Sequence, residues 1–175
     1  MAAESIDAVR QIWGAGPEGV DLEGRFFRIS GRAKRPQVIQ RPGPLLAGTG
    51  SSGPARQLAA THLDAWITTA DDSSEWTSAR SRFESTSEDV GEGRESTRII
   101  HHIHVRETAR GDLRLISNGA PLEDHAESLA DSAVDGLLIE LQQWSASAVD
   151  GLAQLVVRLE RSGQLIAGAE RRTTW

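Results

Sequence analysis

Residues 45–60, LLAGTGSSGPARQLAA, decide how the rest of the chain is read. The apolar run Leu45 to Ala47 predicts a buried strand, and Gly48-Thr49-Gly50-Ser51-Ser52-Gly53 ends it. Pro54 then opens an amphipathic helix running to His62. At such a strand–turn–helix junction, backbone N–H groups lack internal partners and the helix dipole adds partial positive charge. Thr49, Ser51 and Ser52 add hydroxyls, and together these make a phosphate seat. A plain β-to-α connection that binds nothing is the alternative reading of the same glycines.

Working outward, Ser5 predicts the cap of a short helix with Ile6, Val9 and Trp13 on one face. VDLEGRFFRI, residues 20–29, predicts a small hairpin, and a proline-rich crossing at 35–44 leads to the first strand. DAWITTA, residues 64–70, predicts a second strand, so close behind the helix that the pair is parallel. A helix is expected over 75–83 and an acidic, Ser/Gly-rich loop over 84–96. TRIIHHIHVRET, residues 97–108, predicts the third strand, followed by a polar turn over 109–118. A helix starts at Pro121 with Leu122, Ala126, Leu129 and Ala133 in one stripe. GLLIEL, residues 136–141, predicts the fourth strand, and a last helix placing Val149, Leu152, Val156 and Leu159 on one face stops at Gly163. The tail, 164–175, carries no placeable pattern. Strands alternating with helices predict a parallel α/β layer in a single domain, 1–175.

Composition narrows the function classes. The 175 residues carry a net charge of −6 with no long basic cluster, which argues against nucleic acid and against an anionic membrane. No apolar run is long enough to cross a bilayer, and the start has no leader pattern, so the expectation is cytoplasmic. The absence of cysteine excludes disulfides and thiolate metal sites. On the third strand Ile100, His102, His104 and Arg106 share one face. Two imidazoles begin a metal site, but spacing signals no third ligand, so no metal is expected. Asp71, Asp72 and Glu75 read as helix N-terminal charge, and Trp13, Trp66 and Trp144 as packing.

VDLEGRFFRI, PQVIQRPGPLLAGTGSS, LAATHLDAWIT and HIHVRET, followed by LADSAVDGLLIEL, resemble in order and spacing the C-terminal half of the luciferase-like flavin monooxygenases. The likeness is closest to the alkanesulfonate monooxygenase branch. The resemblance implies strands five to eight of a TIM-type (βα)8 barrel, reduced FMN as cofactor (the deazaflavin F420 in another branch), and a flavin reductase as partner. It implies oxidation of a small organic molecule with O2. Gly48, Thr49, Gly50, Ser51 and Ser52 fall on the turn that holds the flavin phosphate. His102 falls on the active-site histidine, and His104 and Arg106 extend that face toward substrate. Arg106, Glu107 and Thr108 match the Arg-Glu-Thr end of the strand, whereas Ile100 and Thr69 replace an arginine and a tryptophan of the sulfonate enzymes. A half barrel leaves sheet edges and an inner face unpartnered, so a second copy or a complementary chain is expected to complete it. A non-catalytic remnant or interaction protein with weak flavin binding is the alternative.

Overall fold

The computed structural model describes residues 1–16, 19–32, 38–40, 43–69, 73–90, 97–130 and 134–161. The predicted tail, the pair Asp71 and Asp72, Ala133, Gly163 and half of the proline-rich crossing lie outside these. The fold is mixed α/β, with a parallel strand pair and five helices among the described residues. The chain divides into two compact units, one built on Met1–Trp66 with Thr86–Thr97 and the other on Ile67–Ser85 with Arg98–Thr174.

The first unit opens with α1 (Ala2–Gly14), then the antiparallel hairpin β1 (Val20–Glu23) and β2 (Arg28–Gly31), as the sequence predicts. Glu4 ties the two together by accepting from the backbone N–H of Phe26 at 2.8 Å and of Phe27 at 3.0 Å. Ser5 is not the helix cap, because the helix already begins at Ala2 and the Ser5 hydroxyl donates back to the Met1 carbonyl.

Next come β3 (Ala47–Thr49), α2 (Gly53–His62) and the start of β4 (Ala65–Thr68). Gly48 therefore lies inside the strand, where the glycine run was expected to have ended it. A Cβ on Gly48 would stand 2.4 Å from the Leu63 side chain, so glycine lets the strand approach the end of α2. Asp64 fastens this junction. Its carboxylate accepts from Leu46 N–H at 2.8 Å and from the Arg10 guanidinium at 2.7 Å, while its own N–H donates to the Leu46 carbonyl. Ala59, Ala60, Leu63, Ala65 and Trp66 are buried here.

The second unit is built on β5 (Arg98–Glu107), the long strand predicted at 97–108. It pairs in parallel with β7 (Gly136–Leu141), whose bounds are those expected, and antiparallel with β6 (Leu113–Leu115). The polar turn expected at 109–118 thus conceals a strand. Thr108 holds the turn tight, its hydroxyl accepting from Arg110 and Asp112 N–H, and Leu115 is buried.

Two helices shape the core: Ile103 and Val105 of β5 pack with Leu122 and Ala126 of α4 (Leu122–Ala130) and with Ala148, Leu155 and Leu159 of α5 (Ala146–Arg161). Sequence periodicity placed Val149 and Val156 on the α5 core face, yet both are exposed, and the packed row is Ala148, Leu152, Leu155 and Leu159. Trp144 is 77% exposed, so it is not the packing residue expected, whereas Trp66 is buried.

Helix α3 (Ser73–Val90) runs well past Phe83, through residues 84–90 of the expected loop. An Arg80–Glu84 pair one turn apart, at 2.7 Å, supports the second half that composition read as solvated chain.

Candidate functional site

Two candidate centres arise, one in each unit. In the first unit, Gly48 and Thr49 end β3, and Gly50, Ser51 and Ser52 carry the chain into α2. The turn is exposed, and Gly50 holds a φ of +129°. A Cβ there would stand 2.9 Å from that of Ala55, so only glycine fits both the backbone and the space. Ser52 is the N-cap, its hydroxyl accepting from Ala55 N–H at 3.3 Å. Trp66 supports the turn from below, its indole N–H donating to the Gly50 carbonyl at 3.0 Å, and Arg56 donates to the Ser51 carbonyl. An exposed glycine–serine turn at the start of a ten-residue helix, with a guanidinium beside it, suits a phosphate in charge and donor chemistry.

In the second unit, β5 separates its side chains by the period of two. His101, Ile103 and Val105 are buried on the helix side, while His102, His104 and Arg106 lie on the other face. This is the orientation expected of His102. The parallel register sets His104 opposite Glu140 and His102 opposite Leu138. One Glu140 oxygen stands 3.2 Å from His102 Nε2 and 3.6 Å from His104 Nδ1, and the two rings lie 4.5 Å apart. Glu140 was missed because it is 36 positions from His104 and only the β5–β7 register reveals it.

The Arg-Glu-Thr end of the strand splits by role. Glu107 accepts from the hydroxyls of Ser145 and Ser147 at the start of α5, and these two bonds hold its carboxyl below the usual carboxylate range. Ser145 also caps α5 by accepting from Ala148 N–H at 3.0 Å. Glu107 and Thr108 therefore brace the backbone, and Arg106 is the member left on the open face.

A second pair of imidazoles sits on the helix side. His101 is fully buried, its Nε2 lies 3.2 Å from Nε2 of His125 on α4, and Trp76 of α3 meets its ring edge-on at 5.1 Å. Burial, then the positive charge that His125 and His102 would carry, lowers its pKa to about 4. This pair was not singled out in the sequence, where His125 is one polar residue of an amphipathic helix.

No helix among the described residues is long and apolar enough to cross a membrane. A comparison with curated protein sequences finds no match. Among solved structures, riboflavin lyase with modified FMN and riboflavin superposes with a TM-score of 0.71 at 14% identity, over 95% of this chain and 58% of that one. DmoA from Hyphomicrobium sulfonivorans gives 0.69 at 13% identity, over 95% of this chain and 56% of that one. EDTA monooxygenase from Chelativorans sp. BNC1 gives 0.64 at 12% identity, over 94% of this chain and 61% of that one. The chain therefore spans less than two thirds of these proteins. The profile of the family described as luciferase-like monooxygenase matches residues 1–136, and the chain belongs to that family.

Proposed function

We propose that the chain is a flavin-dependent monooxygenase component that oxidises a small organic molecule with O2, using reduced FMN delivered by a flavin reductase. The observation that carries this reading is the face of β5 presenting His102, His104 and Arg106 in a chain of the luciferase-like family. Reduced FMN would supply the electrons that activate O2. The chain's own residues would bind and orient: Gly48, Thr49, Gly50, Ser51 and Ser52 hold the phosphate, and His102 serves as the catalytic group. His104 and Arg106 offer donors to an anionic group on the substrate, in keeping with the alkanesulfonate branch. Glu140 positions His102 through the contact at 3.2 Å.

The deazaflavin F420 is the second cofactor reading, favoured by one observation. An F420-dependent secondary alcohol dehydrogenase superposes with a TM-score of 0.61 at 12% identity, over 89% of this chain and 60% of that one. We also propose that this chain corresponds to strands five to eight of a (βα)8 barrel. A complementary chain or a second copy then supplies the remaining strands.

Titration with FMN, riboflavin and F420 tests the phosphate seat. FMN should bind more tightly than riboflavin, because only FMN carries the phosphate that the α2 N-terminus receives. The gap should narrow in Ser51→Asp, whose carboxylate occupies and repels the same position. Equal affinity for FMN and riboflavin in the parent removes the seat, and preference for F420 over FMN transfers the reading to the deazaflavin.

A further inference from the structure

We propose that His102, His104 and Glu140 form a binding site for a divalent transition-metal ion of the zinc class. The three ligand atoms, Nε2 of His102, Nδ1 of His104 and a Glu140 carboxylate oxygen, all lie within 4.8 Å of one another. Ligands at about 2.0–2.2 Å from a tetrahedral ion stand roughly 3.3–3.6 Å apart. The spacings from Glu140, 3.2 Å to His102 and 3.6 Å to His104, approximate two edges of that tetrahedron. The third edge, from His102 Nε2 to His104 Nδ1, lies within 4.8 Å and would adjust to the same length on coordination.

The donor set selects the ion. Two imidazoles and one carboxylate favour zinc, cobalt or nickel over magnesium and calcium, which take oxygen ligands. Three protein ligands leave a coordination position open to water or a small anion.

The scaffold is rigid where it matters. All three residues lie on paired strands, and Asp135 pins the register by accepting from Ile99 N–H through its carboxylate at 2.8 Å and donating its own N–H to the Ile99 carbonyl at 2.9 Å. Access grades across the site, with side-chain exposure of 17% at His102, 48% at His104 and 61% at Glu140. An ion can therefore enter from the Glu140 side and find a more enclosed imidazole behind it.

The site shares His102 and His104 with the face proposed above for catalysis, but it is argued from the ligand geometry alone and is tested without flavin, so that its failure leaves the flavin reading standing. The full chain, stripped with a chelator, is titrated with Zn2+ by calorimetry and with Co2+ by visible absorption. The expected result is a single saturable ion, with affinity on the order of micromolar and a cobalt spectrum of low coordination number. Glu140→Gln, His102→Ala and His104→Ala should each weaken binding about tenfold or more, while His62→Ala, in the other unit, leaves it unchanged. Zinc should also raise the unfolding temperature of the parent but not of Glu140→Gln, a near-isosteric change at an exposed position. Failure to saturate below about millimolar zinc, or binding that survives in both Glu140→Gln and His104→Ala, overturns the proposal.

Discussion

At the scale of single residues, the buried imidazole of His101 makes stability depend on pH. In the folded chain His101 takes a proton only near pH 4, against 6.5 when unfolded. Between those values the unfolded state binds the proton that the folded state refuses. Stability should therefore fall as pH drops below about 6.5, by on the order of 2 kcal/mol at about pH 5, and level off below about pH 4. His101→Leu, which leaves nothing to protonate at this position, should flatten that slope whatever it does to absolute stability. Urea midpoints of the metal-free protein across this range measure it, and identical slopes in parent and variant would remove His101 as the cause.

The adjacent histidines were legible to different degrees for a physical reason. A period of two assigns His102 and His104 to one face from sequence alone, but what faces them across the sheet depends on pairing, which is a long-range fact. Glu140 and His125 stayed hidden for that reason. Gly50 was legible as a turn residue, whereas Gly48 was not legible as a strand residue. Its role is to admit the Leu63 side chain, and nothing in the local pattern announces that neighbour.

At the scale of elements, helix α5 separates what periodicity offers from what packing selects. Its apolar residues form a stripe broad enough for two adjacent rows, and the core takes the row of Ala148, Leu155 and Leu159. Val149, Val156 and Val157 remain exposed. Leu155→Ala should cost about 2–4 kcal/mol, because a buried leucine leaves a cavity. Val156→Gln should stay within about 0.5 kcal/mol of the parent. Denaturant midpoints decide between the two rows, and the reverse ranking would restore the face that the sequence suggested. Strand β7 and the β1–β2 hairpin were legible because strong apolar runs are bounded by turn residues. Strand β6 was not, being three residues inside a polar stretch, and α3 outran its expected end because Ser and Glu signal both loops and solvated helices.

At the scale of the whole molecule, the chain spans 56–61% of the length of the solved relatives described above. If this chain contributes half of a barrel, turnover requires the other half. Sedimentation should then show self-association or capture of a complementary chain, and flavin-dependent oxygen consumption should track the assembled species. In that assembly His102→Ala should lower turnover far more than flavin affinity. A compact monomer with no accessible apolar surface, unfolding cooperatively, would favour the remnant reading over the enzyme.

The way Asp135 fixes β7 against β5 has a consequence for how such a chain can change over generations. Because the opposition of Glu140 to the two histidines is set at the start of the paired strands, loop lengths around β6 and α4 are free to drift without disturbing it. A single-codon deletion between Gly136 and Ile139 is another matter. It would turn the Glu140 carboxylate toward the helices and bring an apolar neighbour to the open face. Variation in this lineage should therefore accumulate as insertions in the connections and be purged within the strand.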